Sequence, residues 1–188
     1  MSEQLWWHLT RASGLVAWAL LTAAVLFGLV VRTKVGAAPA RPPWWLDLHR
    51  FLGGLAVVFT AAHLATLVAD SYVRFTLLDL LVPGASNWRT GAVAWGVVAL
   101  WLLLAVEGTS LLQRRLPRRA WRWVHISSYP LFWVATLHFL TAGTDASSRP
   151  AAAFIVAACA AVAFFSIVRS LLPQRGGRAP AARAAPTT

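Results

Sequence analysis

The apolar positions of this chain do not alternate with polar ones in the manner of a half-buried surface helix. They run together in long blocks, each closed by a short polar cluster. Five blocks are visible, roughly 11–31, 47–69, 91–109, 122–142 and 151–172. About 20 apolar residues carry a helix across the hydrocarbon core. The pattern therefore predicts an all-α, polytopic bundle of five transmembrane helices. The connectors hold the residues that end helices: Arg41-Pro42-Pro43, Pro83-Gly84, Pro117 and Arg149-Pro150. The second connector is the longest. Its stretch from Tyr72 to Val82 is amphipathic, which predicts a segment lying on the outer surface and capping that end of the bundle. Residues 1–172 form the expected membrane domain. Residues 173–188, rich in Arg, Ala, Gly and Pro, are expected to be a disordered basic tail in the cytoplasm.

Composition agrees with a membrane protein: 59% of the 188 residues are hydrophobic, 12% are charged and the mean hydropathy is +0.63. Many of the 11 Trp stand where apolar runs meet polar ones, as in the aromatic belts of membrane interfaces. The start of the chain lacks the basic region of a cleavable signal, so the first block is expected to stay in the membrane. The lone Cys159 lies inside an apolar block and reads as a small packing residue, since one Cys makes no disulfide framework.

The net charge of +11 raises nucleic-acid binding, but its distribution argues against that, because the cations cluster in short connectors. Arg32, Lys34, Arg41 and Arg50 flank the first connector, and Arg114, Arg115, Arg118, Arg119 and Arg122 fill the third. Arg169, Arg175, Arg178 and Arg183 follow the last block. Only Arg11, Arg74, Arg89 and Arg149 stand on the opposite side. The positive-inside bias then sets the N-terminus outside, the C-terminus inside, and helices two and four parallel to each other.

Four of the five His lie inside these apolar blocks. An intramembrane imidazole is costly and is a functional hypothesis by default. His49 and His125 begin their helices at the inner face, while His63 and His138 lie near the outer face. At 1.5 Å per residue the members of each sequence pair are about 20 Å apart along the axis. Two levels result, each with two imidazoles, which suits two haem irons that each take one axial His from either side. Fourteen residues is close to four full turns, so His49 and His63 share a face. The 13-residue step from His125 to His138 misses by more than a third of a turn, and Pro130, lying between them, is the residue able to kink or rewind that helix.

Gly53 and Ala56 would allow a flat group, or simply another helix, to approach helix two. Arg11 at the outer level, and Arg50 and Arg122 at the inner, are candidates for anionic propionates, although each also serves as a snorkelling topology residue. Glu107 is expected to reach the headgroup region, and His8 to be an interfacial surface residue. Two His per level is thin for zinc. Polar glue or a proton relay in a non-redox transporter or scaffold is the remaining alternative for the four His.

The residues Leu48-His49-Arg50 with His63, and Trp121-Arg122-Trp123-Val124-His125 with Leu137-His138-Phe139, resemble the ferric reductase-like transmembrane domain over about residues 10–172. That superfamily includes NADPH oxidases, ferric reductases and the haem subunit of the bacterial methionine sulfoxide reductase system. The resemblance implies two b-type haems, His49 with His125 and His63 with His138, and an outer Arg that Arg11 matches. It implies an oxidoreductase component of the inner (cytoplasmic) membrane. Such a component is a di-haem cytochrome moving electrons outward, or a single-haem subunit delivering them to a periplasmic reductase. No Gly-rich dinucleotide fingerprint follows the last block. The implied donor is therefore a separate cytoplasmic flavoprotein or a quinol, and the acceptor is extracytoplasmic.

Overall fold

The computed structural model describes residues 3–33, 44–70 and 73–171. Lys34, Arg41, Tyr72, Arg175, Arg178, Arg183 and the predicted tail lie outside the described residues. Those described are helical throughout, with turns between: α1 (Glu3–Thr33), α2 (Trp44–Ala69), α3 (Leu77–Leu81), α4 (Thr90–Leu111), α5 (Arg118–Ile126), α6 (Ser128–Ala142) and α7 (Arg149–Leu171).

Among these, α1, α2, α4 and α7 are long and apolar enough to cross a membrane. The fourth predicted block, 122–142, is divided instead. It falls into α5 and α6, with the break at Ser127. Pro130 explains the position of the break. It has no N–H to give to the carbonyl one turn earlier, and its ring clashes with the preceding turn. It is tolerated only in the first turn of a new helix, which is where it stands in α6. The chain closes α5 with the Ser127 amide on the Val124 carbonyl at 3.0 Å, and α6 starts with Leu131 donating to Ser127 at 2.9 Å.

The core is built around α1. Trp18, Leu21, Val25 and Leu29 pack against Ala99 and Leu103 of α4, Leu131 and Phe132 of α6, and Ile155, Ala158 and Val162 of α7. Cys159 is partly buried against this cluster, as expected of a packing residue. Outward faces carry large exposed apolar side chains: Phe51, Val58, Trp101, Val156 and Phe164 are all at least half exposed. A continuous apolar exterior of this size marks a surface that lipid covers. The chain is a multi-pass membrane protein.

α2 differs from the other long helices. It packs mainly on α1, and its only buried residues are Gly53 and Ala56. The bundle is thus two hairpin-like units, α1 with α2 and α4 with α5–α6, held apart by open space on the side where α2 faces α4. The connector after α2 lies across one end of that space. Val73, Phe75, Leu80 and Trp88 line the cavity there, and Thr76 and Asp79 form a reciprocal cap at the start of α3. The Trp101 indole fastens the connector to α4 by donating to the Leu81 carbonyl at 2.9 Å.

One polar bond ties the core together. The Trp18 indole N–H donates to Thr136 Oγ1 at 3.0 Å with both residues buried. Thr136→Val keeps the shape but strands that donor, and should cost about 1–3 kcal/mol. Thermal unfolding in detergent should show a lowered Tm for Thr136→Val and little change for Thr136→Ser.

Candidate haem site

Two cavities lie between the hairpin units. The space between the walls of the first is about 770 Å³, its mouth included, and that of the second about 1500 Å³. His49 and His125 line the first, and His63 and His138 line the second. Each cavity thus brings together one His of α2 and one from the α5–α6 segment. The His49 and His125 rings are 5.9 Å apart, centroid to centroid, with their planes at 76°. Trp121 stacks on the His125 ring at 5.0 Å.

Three of the four rings are fixed through Nδ1 to a carbonyl. The Nδ1–H of His49 donates to the Ala24 carbonyl at 3.0 Å, that of His63 to Thr10 at 2.9 Å, and that of His138 to Ala92 at 2.7 Å. A carbonyl can only accept, so Nδ1 carries the proton and Nε2 keeps the lone pair. An imidazole oriented by one nitrogen with the other left as a donor atom is the arrangement of a metal-ligating His.

The acceptors follow a rule. In an α-helix the carbonyl of residue i lies beneath the side chain of residue i+4, and here that position is glycine. Gly28 stands four after Ala24, Gly14 four after Thr10, and Gly96 four after Ala92. A Cβ on Gly14 would meet the His63 ring at 2.9 Å, on Gly96 the His138 ring at 2.7 Å, and on Gly28 the His49 ring at 3.3 Å. The missing side chain lets each ring reach a carbonyl that the helix already uses, through its second lone pair.

On α1 the step from Gly14 to Gly28 equals the step from His49 to His63 on the antiparallel α2, so one register serves both levels. On α4 the step from Gly96 to Ser110 has that same length, but His138 follows His125 by one position fewer. The one-residue interruption at Ser127 falls between His125 and His138, where the two spacings have to be reconciled. At the fourth position Ser110 replaces glycine: its hydroxyl donates to the Val106 carbonyl at 2.7 Å and lies 3.3 Å from His125 Nδ1.

Between the cavities lies a layer one residue thick. Leu21, Ala56, Leu103 and Leu131, one from each of α1, α2, α4 and α6, line both. Leu21 is midway between Gly14 and Gly28, Ala56 between His49 and His63, and Leu103 between Gly96 and Ser110. The two levels are separated by apolar side chains.

Arg11 lines the second cavity, where its guanidinium is paired through two nitrogens with Asp145, the Nε bond measuring 2.9 Å. That guanidinium holds the Asp145 carboxyl below its ordinary value of 3.8. Arg122 lines the first cavity. Arg50 lines neither; it is largely exposed on α2, 3.7 Å from Asp47. His8 is exposed and lines neither cavity.

Glu107 lines the first cavity, where its carboxylate packs against Gly53. Arg169, read from the sequence only as an orientation residue, also lines that cavity and donates to the Tyr129 hydroxyl. The carbonyl acceptors, their glycines and Ser110 are not evident from the sequence pattern of the His alone. A signal for α1 is present, because Gly14 and Gly28 repeat the spacing of His49 and His63.

The residues fit a haem at each level on two observations of this structure. The rings of His49, His63 and His138 are oriented through Nδ1 so that Nε2 keeps its lone pair, and each lines a cavity. The buried polar atoms Thr10 Oγ1 and Trp121 Nε1, on residues that line the second and first cavities respectively, have no hydrogen-bond partner among the described residues. Among the described residues no three His, Cys, Asp or Glu converge on one point, so each level offers its imidazoles in twos.

The sequence model of the ferric reductase like transmembrane component family matches residues 13–136, about two thirds of the chain. The protein belongs to that family, whose members generally bind haem. No curated protein and no solved structure matches it.

The Asp145 carboxyl is depressed in the folded protein, so its pairing with Arg11 stabilises above the unfolded carboxyl value and fades as pH falls through the folded one. Both side chains are about one third exposed, which limits the pair to under about 1 kcal/mol. Asp145→Asn should therefore lower the Tm slightly at pH 7, and the difference from wild type should close in melts taken progressively below pH 4.

Proposed function

We propose that this protein is a di-haem b-type cytochrome of the cytoplasmic membrane that passes electrons from the cytoplasmic side to an extracytoplasmic acceptor. The observation that carries the reading is the set of four His, two to a cavity, each with Nδ1 against an oxygen of a neighbouring helix, which leaves Nε2 available as a ligating atom. His49 and His125 hold the inner haem; His63 and His138 hold the outer. A bound haem supplies reversible one-electron ferric–ferrous chemistry, and two His ligands suit it to electron transfer rather than oxygen binding.

The chain's own residues do the rest. The tethers keep the imidazoles from swinging, which lowers the reorganisation that accompanies a change of iron charge. Arg122 and Arg169 at the inner level and Arg11 at the outer supply positive charge for propionates. Arg50, on the outward side of α2, serves topology instead. The fourth of five crossings is made by α5 and α6 together, whose combined length of roughly 24 residues reaches about 36 Å if they run end to end, with the N-terminus outside and the C-terminus in the cytoplasm. The electron donor is a separate cytoplasmic flavoprotein or a quinol.

A single-haem variant of the same role, with electrons handed to a periplasmic reductase, draws support from the unequal cavities. The inner one is about half the size of the outer and shares its walls with the Glu107 carboxylate. Haem stoichiometry separates the two.

Protein purified in detergent should carry two haems per chain and show split α and β bands on reduction with dithionite. His63→Ala should remove one haem and spare the other. Gly96→Ala, which drives a methyl into the His138 ring, should deplete the same outer haem several-fold, whereas Gly28→Ala, where the contact is looser, should cost the inner haem less. A colourless protein after expression with ample haem sinks the reading, and one haem per chain selects the variant.

A further inference from the structure

Three of the four rings are tethered straight to a peptide carbonyl, and the Nδ1 of the fourth, His125, faces a side-chain hydroxyl. His49, His63 and His138 lie on Ala24, Thr10 and Ala92, each beside a glycine four residues on. The matching pair on α4 at the inner level is Val106 and Ser110. Ser110 bonds back to the Val106 carbonyl, a contact open to Ser in helices, and its oxygen then faces His125 Nδ1. Because the hydroxyl hydrogen goes to Val106 at 2.7 Å, the oxygen is left to accept from the ring. The order is ring N–H to hydroxyl, hydroxyl to carbonyl. At 3.3 Å the ring's bond is longer than the 3.0, 2.9 and 2.7 Å of the other three. A hydroxyl is also a weaker acceptor than an amide carbonyl.

The partner of Nδ1–H sets how much electron density the other nitrogen gives to a metal. A strong acceptor makes the imidazole more basic, favours the ferric ion and lowers the potential. A weak acceptor does the reverse. We propose that Ser110 is a positioning residue that tunes the inner site independently of the outer one, by standing as a hydroxyl relay between the His125 ring and the Val106 carbonyl. This rests on the di-haem reading above. It adds a specific source of difference between two sites whose histidines are otherwise held alike.

The test uses full-length protein in detergent, both with native histidines and in the His63→Ala background, where only the inner haem remains. Equilibrium redox titration and low-temperature EPR of the ferric state are the readouts. Ser110→Ala leaves a methyl between ring and carbonyl with no acceptor, so the inner potential should move up. Ser110→Gly opens the Val106 carbonyl to the ring and makes a fourth direct cradle, so the inner potential should move down. Ser110→Thr retains the hydroxyl and should stay near wild type. With native histidines, the EPR signal of the outer haem should be unchanged in all three. Ala and Gly shifts of the same sign, shifts of both haems, or none in either variant overturn the relay. If Ser110→Ala fails to accumulate, a downward shift in Ser110→Gly with none in Ser110→Thr decides alone, and any other pairing overturns the relay. Wild-type protein that binds no haem overturns the parent reading instead, and this proposal with it.

Discussion

The structure turns on a bond that most membrane helices never make: an imidazole N–H on a backbone carbonyl of the neighbouring helix. Inside the bilayer neither group has water to fall back on, and a helical carbonyl is shielded by the side chain one turn later. Removing that side chain makes the carbonyl reachable. The glycines at 14, 28 and 96 are therefore the complements of the His at 63, 49 and 138. They fix how close α1 comes to α2 and α4 to α6, and so where the open space between the hairpin units must lie. The paucity of buried residues on α2 follows from the same arrangement, because its inward face meets a cavity rather than side chains.

Much of this is legible in the chain. The apolar blocks locate α2, α4 and α7 to within a few residues, since length and hydropathy are local properties, while α1 begins eight residues before its block. The grouping of His at two depths also follows from spacing, because α2 returns to one face between His49 and His63. The shorter step from His125 to His138 is legible as a conflict, and Pro130 as the place where it would be relieved. The outcome is a one-residue interruption at Ser127, itself in a near-helical conformation, which leaves α6 as a helix of 15 residues where a single continuous span is expected. A proline reveals that a helix cannot run on, but whether it bends or parts depends on what the two halves pack against.

Other features are beyond reach of the sequence because they depend on backbone atoms or on side chains that carry two meanings. Carbonyl acceptors have no letter. Arg169 counts toward orientation as well as any other cation, and only the packing of α7 on α1 brings it to the first cavity. Arg50 illustrates the converse: adjacent to His49 in the chain, it points about a hundred degrees away around the helix, onto the outer surface. That Gly53 makes room for the Glu107 carboxylate is likewise a matter of packing that the sequence does not spell out.

The four-residue layer of Leu21, Ala56, Leu103 and Leu131 has a consequence for energy conversion. It offers no hydroxyl, amide or carboxylate along which a proton could hop. On the electron-transfer reading, negative charge crosses this dielectric unaccompanied, and the step becomes electrogenic. Each elementary charge that traverses the full membrane works with or against about 2.3 kcal/mol per 100 mV. The voltage across the cell envelope would then act directly on the rate, throttling or drawing on the flow without any ligand.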